Sequence, residues 1–286
     1  MTAELISGKE LSESIREGIK KDVESLKEKD INPHITVVLI GNDPASLSYV
    51  KGKEKAAAKL GMSSEVIRLD EKTEEKELID LVDELNKNDE VHGILVQLPL
   101  PDHMDEQVIV EKIDPKKDVD GFHPLNVGRM MLGQETLLPC TPFGVMKMLE
   151  SKDIIIEGKN AVIVGSSNIV GKPMGQLLLA KEATVTNCHI KTKDLKAYTK
   201  MADILVVAAG KAHLINDEHV KEGAVVIDVG INRLEDGTMT GDVDFEKVKD
   251  KVSYISPVPG GVGPMTITML LYNTVLACKR IENIDE

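Results

Sequence analysis

The chain has 286 residues, nearly twice the length of an average domain of about 150 residues, and this length favours two domains. Its 35 Lys and Arg against 48 Asp and Glu give a formal net charge of −13, which argues against a nucleic-acid partner. Hydrophobic residues at 42% and charged residues at 29% are ordinary globular proportions and exclude a disordered chain. The three cysteines are Cys140, Cys188 and Cys278. Their wide spacing fits a protein of a reducing compartment and does not match the spacing of cysteine ligands in metal sites.

The sequence shows no segment suited to entering a membrane. Its first residues are charged and lack the apolar run of a signal peptide, which predicts a cytoplasmic protein. The stretch 252–278 carries no formal charge, but three prolines interrupt it. Its apolar remainder from Met265 is too short and too polar to cross about 30 Å of hydrocarbon. We expect a buried loop followed by a core helix.

The first half of the chain alternates between helical and strand patterns. Apolar residues at helical spacing predict a first helix from Leu11 to about Leu26. Short apolar runs that end at glycine or proline predict strands, and longer amphipathic runs predict helices. These are a strand over 35–40, a helix over 45–60, a strand over 64–69, a helix over 74–88 and a strand over 93–98. Such alternation predicts a parallel sheet with helices on its faces.

The second half restarts this alternation. Thr141 and Pro142 predict the N-cap and first position of a helix over 144–152. New strands are expected over 161–164, 184–188, 204–208 and 224–229, and a final helix over 266–280. We therefore predict an α/β fold with two parallel-sheet domains flanking a cleft, the second a Rossmann-type dinucleotide-binding domain.

Residues 161–175 form the strongest local motif, an apolar strand followed by a glycine turn and a helix. N–H groups of the loop that starts at Gly165 and of the helix N-terminus would present positive potential to a pyrophosphate. The spacing departs from G-x-G-x-x-G, so a purely structural turn remains an alternative. Gly210 and Gly230 also follow predicted strands, which places three glycine sites at the edge where parallel sheets bind ligands.

Polar residues in the first half also cluster at predicted strand ends. Tyr49 and Lys53 lie four apart in a predicted helix and share one face, although a lysine in so basic a helix is usually a solvated charge. Gln97 comes late in an apolar strand and needs a partner, which a lysine or a ligand would provide.

Two further segments admit a functional interpretation. Asp118 and Asp120 precede a glycine turn; a calcium loop is excluded because the twelfth position from Asp118 is Arg129, not glutamate. Turn formation and hydrogen bonding to a heterocycle both remain open for these acids. The rigid, glycine-rich segment 257–266 favours close approach of its backbone to a ligand.

Taken together, these segments resemble the bifunctional methylenetetrahydrofolate dehydrogenase/cyclohydrolase family. Six blocks match in the family's order and span nearly the whole chain: 49–53 (YVKGK), 93–101 (GILVQLPLP), 118–126 (DVDGFHPLN), 140–142 (CTP), 165–173 (GSSNIVGKP) and 257–266 (PVPGGVGPMT). The resemblance implies oxidation of 5,10-methylenetetrahydrofolate with NADP or NAD, then hydrolysis of the 5,10-methenyl product to 10-formyltetrahydrofolate. It also implies a homodimer.

The resemblance also implies a role for particular residues. Lys53 would be the catalytic lysine, Tyr49 would order the substrate, and Gln97 would be the partner of Lys53. Asp120 would hold the pterin ring, supported by Asp118. A loop would line the substrate (Pro259, Gly260 and Gly261), and a second set of residues would contact the dinucleotide (Gly165, Ser166, Ser167, Ile169, Ile190 and Ile231).

The same resemblance implies the domain boundaries. The last helix returns to the first domain in the family. The folate-binding catalytic domain would then span 1–145 plus 266–286, and the dinucleotide-binding domain 146–265.

Two positions depart from the family pattern. Most members have an arginine after the first glycine of the cofactor loop and a serine after Cys-His; here Ser166 and Ile190 stand there. An aliphatic side chain cannot offset the desolvation of a dianionic 2′-phosphate, and losing a guanidinium removes bidentate recognition. We expect a weakened NADP preference or NAD use, with Lys172 and Lys191 as partial substitutes.

Three alternatives stay open at the level of sequence. One is a dehydrogenase of another small metabolite on the same fold. Another is a non-catalytic folate- or nucleotide-binding regulator, and the third is cyclohydrolase activity alone. The first-domain residues Tyr49, Lys53, Gln97 and Asp120 favour the bifunctional enzyme over the first two.

Overall fold

The computed structural model describes residues 2–284. Its strands, in chain order, are β1 (Glu4–Leu5), β2 (His34–Ile40), β3 (Ser63–Leu69), β4 (Gly93–Val96), β5 (Asn160–Val164), β6 (Thr184–Cys188), β7 (Ile204–Val207), β8 (Val225–Asp228), β9 (Asn232–Arg233), β10 (Met239–Thr240) and β11 (Tyr254–Ile255). Its α-helices are α1 (Gly8–Lys27), α2 (Pro44–Lys59), α3 (Glu75–Lys87), α4 (Glu106–Lys112), α5 (Pro124–Met131), α6 (Cys140–Glu150), α7 (Gly171–Leu179), α8 (Leu195–Thr199), α9 (Phe245–Val248) and α10 (Val262–Ile281). A short 3-10 helix covers Asp217–His219.

The chain divides into two compact units. The six-stranded unit consists of Thr141–Thr266 with the N-terminal segment through Glu13, and the three-stranded unit consists of Ser14–Cys140 with the C-terminal segment from Ile267. The division falls inside α1 and inside α10, so each of these helices contributes residues to both units.

The six-stranded unit is built on a parallel sheet in the order β1-β11-β8-β7-β5-β6. Its central strands β7 and β8 are buried throughout and apolar except for Asp228, as expected of a parallel sheet between helices. Side chains from β5, β7 and β8 pack with those of the flanking segments into one core that includes Val162, Leu205 and Val226. The short antiparallel pair β9 and β10 lies outside this sheet.

The three-stranded unit has the parallel order β3-β2-β4. An isolated parallel bridge from Ile94 to Asp118 places residue 118 beside β4. Buried side chains of β2, α3, β4 and α4 form its core, among them Val38, Leu78 and Ile109. Because β2 and β4 are parallel neighbours, the segments that follow them emerge at the same sheet edge.

The structure confirms the predicted parallel-sheet α/β fold and adjusts several element ends. β4 stops at Val96, so Gln97 lies just beyond the strand, although its N–H still donates to the Val38 carbonyl at 2.9 Å. The last helix begins at Val262, four residues before the predicted start. Pro264 is tolerated in its first turn because the N–H it lacks has no partner within the helix there. No helix within residues 2–284 is long and apolar enough to span a bilayer.

Candidate active site

A buried lysine and a glutamine meet at the carboxyl edge of the three-stranded sheet. Lys53 lies on α2 and is 8% exposed. Its Nζ donates a hydrogen bond to Oε1 of Gln97 at 2.9 Å. The Gln97 side-chain amide donates in turn to the Leu98 carbonyl at 2.6 Å, which keeps its oxygen directed at the lysine. The structure thus brings together the two residues that the sequence analysis paired.

The surroundings of Lys53 weaken its hold on a proton. Burial lowers the pKa of the Lys53 amine, while the Asp120 carboxylate and Cys140 act in the opposite direction. Gln97 is uncharged, so it orients the amine without stabilising the ammonium form as a carboxylate partner would. This combination suits a group that both accepts and releases a proton during a reaction.

Asp120 and Cys140 complete these surroundings. Burial raises the pKa of Asp120 to about 6, against the opposing effect of the Lys53 charge. Burial also raises the pKa of the Cys140 thiol well above its ordinary value, with Asp120 adding to the effect. The thiol therefore stays protonated and donates to the Val119 carbonyl at 3.2 Å. Sequence analysis did not single out Cys140 as a site residue; its only signal was its place in the block 140–142.

Asp118 stabilises the turn that carries Asp120. It is buried, and its carboxylate accepts hydrogen bonds from the N–H groups of Phe122 (3.2 Å) and His123 (2.8 Å) and from Nδ2 of Asn126 (2.8 Å). Burial raises the pKa of Asp118, and these hydrogen bonds lower it. The contacts of Asp118 are those of turn formation, whereas the partly buried Asp120 carboxylate interacts electrostatically with Lys53.

The Asp120 turn is packed tightly against the segment that leads to α6. Gly121 has a φ of +74°, and a Cβ there would lie 2.5 Å from the Leu138 carbonyl carbon. Asn273 on α10 donates from Nδ2 to the carbonyls of Val119 and Leu138, both at 2.9 Å. Its Oδ1 is buried without a hydrogen-bond partner among residues 2–284. Asn273, which sequence analysis missed, therefore holds together the two segments that place Asp120.

Tyr49 lies one helical turn before Lys53 on α2. The helix starts directly after β2 because Asp43 caps it, accepting from the Ser46 N–H at 2.7 Å, and Pro44 occupies its first position. Burial raises the pKa of the Tyr49 phenol, so the phenol is protonated at neutral pH. The four-residue spacing puts Tyr49 and Lys53 on the same helix face.

In the six-stranded unit, the loop between β5 and α7 is shaped by glycines. Gly165 has a φ of +138°, and a Cβ there would lie 2.2 Å from the Ala208 carbonyl oxygen. A Cβ on Gly171 would lie 2.2 Å from the Gly165 carbonyl oxygen. Backbone therefore packs on backbone at both positions, and only glycine fits.

Ser167 closes this loop on itself. Its Oγ accepts from the N–H groups of Val170 (3.1 Å) and Gly171 (3.3 Å), and its carbonyl accepts from the Lys172 N–H at 3.0 Å. The N–H groups that can face a phosphate are therefore those of the exposed residues 166–169 rather than those of the helix itself. A loop of such N–H groups with little side-chain bulk fits the pyrophosphate of a dinucleotide.

Exposed aliphatic side chains surround this edge of the sheet. Ile190 follows β6 and is 97% exposed, while Ile169 and Ile231 are 39% and 43% exposed. The Lys172 ammonium donates to Oδ1 of Asn168 at 2.5 Å, so it is engaged within the loop. Aliphatic groups in this position are suited to contact with the flat faces and edges of a bound cofactor.

The loop over 257–261 has a constrained backbone. Gly260 has a φ of +100°, and a Cβ on Gly261 would lie 2.4 Å from the Pro257 carbonyl oxygen. A Cβ on Gly8, at the start of α1, would lie 1.8 Å from the Gly261 carbonyl oxygen. Pro259 is exposed beside these glycines.

The candidate residues thus fall into two groups, one in each unit. The three-stranded unit holds Tyr49, Lys53, Gln97, Asp118 and Asp120, and the six-stranded unit holds the glycine loop, the exposed isoleucines and the 257–261 loop. Among residues 2–284, no three His, Cys, Asp or Glu side chains come together as a metal site would require.

Comparison with known proteins matches both units. A family model described as the catalytic domain of tetrahydrofolate dehydrogenase/cyclohydrolase matches residues 6–120, and one described as its NAD(P)-binding domain matches residues 139–282. The bifunctional protein FolD of Oceanobacillus iheyensis is 61% identical over 283 residues, which cover 99% of either chain.

Solved structures agree with this match. The bifunctional enzyme FolD from Campylobacter jejuni, a methylenetetrahydrofolate dehydrogenase/cyclohydrolase, superposes with a TM-score of 0.96 at 56% identity, covering 97% of this chain and 99% of that one. The Trypanosoma brucei dehydrogenase-cyclohydrolase, complexed with NADP and an inhibitor, has a TM-score of 0.95 at 36% identity and covers 98% of each chain. The protein is therefore an enzyme with an NAD(P)-binding domain, and it belongs to the tetrahydrofolate dehydrogenase/cyclohydrolase family.

Proposed function

We propose that this protein oxidises 5,10-methylenetetrahydrofolate with NAD(P) and hydrolyses the 5,10-methenyl product to 10-formyltetrahydrofolate, two steps of one-carbon metabolism. The observation that carries the proposal is the buried Lys53 amine, hydrogen-bonded to Gln97 and adjacent to Asp120. The family matches in both units support the same pair of activities.

For the oxidation, the chain needs mainly to bind and orient. Bound NAD(P) supplies the hydride acceptor, and the folate nitrogen lone pair stabilises the cation that the substrate becomes, so little acid or base help is required. We assign dinucleotide contact to a loop and to three exposed aliphatic side chains at the sheet edge: Gly165, Ser166, Ser167, Ile169, Ile190 and Ile231.

For the hydrolysis, the proposed proton carrier is Lys53. Water attacks the methenyl carbon and loses one proton to the amine, which leaves a tetrahedral adduct with a hydroxyl group. The amine returns this proton to a ring nitrogen as the bond between that nitrogen and the adduct carbon breaks, and the hydroxyl proton leaves to solvent as the formyl C=O forms. Burial and a cationic substrate both favour the neutral amine that this first step needs. Gln97 orients the amine without restoring its charge.

The remaining site residues are assigned to substrate binding. Asp120 would accept hydrogen bonds from the N–H and amino groups of the pterin, Tyr49 would order the substrate beside Lys53, and Asp118 would act through the turn it stabilises. The constrained loop over 257–261 would contact the folate through Pro259, Gly260 and Gly261. This proposal makes 1–145 with 266–286 the folate-binding domain and 146–265 the dinucleotide-binding domain.

We propose further that recognition of a 2′-phosphate is weakened. Ser166 and Ile190 offer no positive charge, and Ile190 is almost fully exposed. Lys172 is already engaged by Asn168, so Lys191 is the stronger of the two candidate substitutes. A homodimer, which the family resemblance implies, completes the proposal.

One assay tests the main proposal. Methylenetetrahydrofolate is supplied with NAD and with NADP in parallel, and reduced nicotinamide and methenyl absorbance are followed together. Reduced nicotinamide with transient methenyl absorbance is expected. A second reaction is started from 5,10-methenyltetrahydrofolate without nucleotide, and decay of its absorbance reports the hydrolysis alone. Decay in this second reaction without nicotinamide reduction in the first would leave a cyclohydrolase alone, and the absence of both signals would contradict the proposal.

A substitution tests the role of Lys53. Lys53→Met should lower cyclohydrolase kcat by about 100-fold or more, because the side chain keeps its length but cannot carry a proton. Lys55→Met is the matched control, since Lys55 is an exposed residue of the same helix and its loss should leave the rate unchanged within about twofold. Full cyclohydrolase turnover in Lys53→Met would remove the proposed role.

A further inference from the structure

Two buried carboxylates lie beneath the glycine-containing loops of the six-stranded unit. Asp228 ends β8, and Asp242 follows β10; both side chains are buried. The Asp228 carboxylate accepts from the N–H groups of Gly230 (2.9 Å), Asp242 (3.0 Å) and Val243 (2.9 Å). Asp228 therefore fixes the backbone from which the Asp242 side chain projects.

The Asp242 carboxylate reaches two loops at once. Its Oδ2 accepts from the N–H groups of Ala209 (2.6 Å) and Gly210 (2.9 Å), and its Oδ1 accepts from the Lys211 N–H (2.8 Å) and from Nδ2 of Asn232 (2.9 Å). The first three donors follow β7, and Asn232 follows the loop after β8. A single carboxylate thus joins the loops at the ends of two neighbouring strands.

The backbone is built to admit these two side chains. A Cβ on Gly230 would lie 2.3 Å from Oδ1 of Asp242, and a Cβ on Gly241 would lie 1.9 Å from Oδ2 of Asp228. Gly210 adopts a φ of +65°, which lets two successive N–H groups point at the same oxygen. The glycines at positions 230 and 241 therefore leave the space that the two buried carboxylates occupy.

Both loops belong to the surface assigned to the dinucleotide. The Ala208 carbonyl, directly before the Asp242-bound amides, is the group against which Gly165 packs. Ile231 lies between two residues that are hydrogen-bonded to the buried acids. The Gly230 N–H donates to Asp228, and Nδ2 of Asn232 donates to Asp242. A shift of either loop would move the surroundings of the glycine loop or the Ile231 side chain.

We infer that Asp242 is a positioning residue for NAD(P): its carboxylate holds the loops after β7 and β8 in the conformation that accepts the dinucleotide. The inference deepens the proposed function and rests on it. It assigns to this acid a role in nucleotide affinity and none in the hydrolysis, which needs no hydride acceptor.

An amide cannot replace this carboxylate. Both oxygens of Asp242 accept two hydrogen bonds, so an NH2 group on either side would face N–H donors and leave them buried without an acceptor. Asp242→Asn keeps the size of the side chain and changes only this property.

The test compares two activities in one variant. Asp242→Asn should raise KM for NADP and for NAD by at least about tenfold, with cyclohydrolase kcat and KM within about twofold of the unaltered enzyme. Calorimetric titration of NADP and NAD should show the same weakening without turnover, so the result stands even if the folate chemistry proposed above is wrong.

Controls separate positioning from general damage. Asp236→Asn removes an exposed acid of the same β9–β10 hairpin, whose Oδ1 accepts from the Thr238 N–H at 2.9 Å, and should change neither activity. Nucleotide affinity within about twofold of the unaltered enzyme in Asp242→Asn would overturn the inference, and so would an equal loss of both activities. If Asp242→Asn does not fold, Asn232→Ala decides: it removes one donor and should raise the nucleotide KM by about threefold, and an unchanged KM would overturn the inference.

Discussion

Lys53 and Lys55 lie two residues apart on α2 and have different surroundings. Lys55 is exposed, whereas Lys53 is buried and bonded to Gln97. Burial beside an uncharged partner destabilises the ammonium form of a lysine and lowers its pKa. A lysine needs such a lowered pKa to accept and release a proton during a reaction. Position on the helix, rather than residue type, therefore distinguishes the proposed proton carrier Lys53 from the solvated charge of Lys55.

Restoring the residues that most family members have at positions 166 and 190 tests the basis of nucleotide preference. The double variant Ser166→Arg with Ile190→Ser should raise the ratio of kcat/KM for NADP to that for NAD by about tenfold or more, since a guanidinium can bind the 2′-phosphate bidentately. Steady-state kinetics with both nucleotides measures this ratio. The kcat/KM for NAD should stay within about threefold of that of the unaltered enzyme. An unchanged ratio would show that these two positions do not set the nucleotide preference.

Asp120 should affect stability in a pH-dependent way. Its pKa rises from an ordinary value near 4 to about 6 on folding, so its contribution to stability is fully present below about pH 4 and is lost as the pH rises through 6. Asp120→Asn lacks this loss and should become more stable than the unaltered protein between pH 4 and 7, by at most about 3 kcal/mol.

Urea unfolding at several pH values measures this effect. Asp102→Asn, in an exposed position after β4, serves as the control and should follow the pH dependence of the unaltered protein. If the free energy of unfolding varies with pH in the same way for Asp120→Asn and for the unaltered protein, Asp120 is ionised at little cost in the folded state.

At the scale of elements, a buried lysine terminates α3. The Lys117 ammonium donates to the carbonyls of Leu85 (3.2 Å), Asn86 (2.9 Å) and Asn88 (2.7 Å) at the C-terminal end of the helix. Because residue 118 pairs with β4, this bond also ties α3 to the segment that leads to Asp120.

Removing that ammonium should destabilise the unit. Lys117→Met should lower the free energy of unfolding by about 2 to 3 kcal/mol, because it removes three hydrogen bonds from a charged donor at this helix end. Lys116→Met is the matched control, since Lys116 is exposed and should change the free energy by no more than about 0.5 kcal/mol. Equal unfolding midpoints for the two variants would contradict this account of the helix end.

Sequence patterns predicted the long elements and missed the short ones for a physical reason. The helices α1, α2 and α3 and the strands β2 and β5 have enough residues for their periodicity to appear. Two-residue strands such as β1 and β11 exist only because neighbouring segments pair with them, so nothing local marks them.

The site was predictable to a similar degree. The pairing of Lys53 with Gln97 follows from a helix that begins and a strand that ends at the same sheet edge, and the structure shows it. Cys140, Asn273 and Asp242 could not be found in this way, because their partners lie far along the chain and are mostly backbone groups. The contrast between Lys116 and Lys117 was invisible for the same reason.

At the scale of the whole molecule, the two units are interleaved along the chain. The restart of the strand and helix pattern near residue 160 indicates two sheets, but no pattern reveals that α1 and α10 each contribute to both units. A continuous helix has the same periodicity whether its residues pack in one core or in two. The proposed folate-binding domain accordingly includes a C-terminal segment that only family resemblance could predict.

The position of Asn273 has a consequence for how the enzyme is made in a cell. The carbonyls of Val119 and Leu138 accept hydrogen bonds from the Asn273 amide, which is synthesised more than a hundred residues after them. During translation, β2, β3 and β4 are all synthesised before Asn273, which lies on α10. A nascent chain has therefore synthesised all three strands of this sheet before it contains the amide that joins the Asp120 turn to the segment leading to α6.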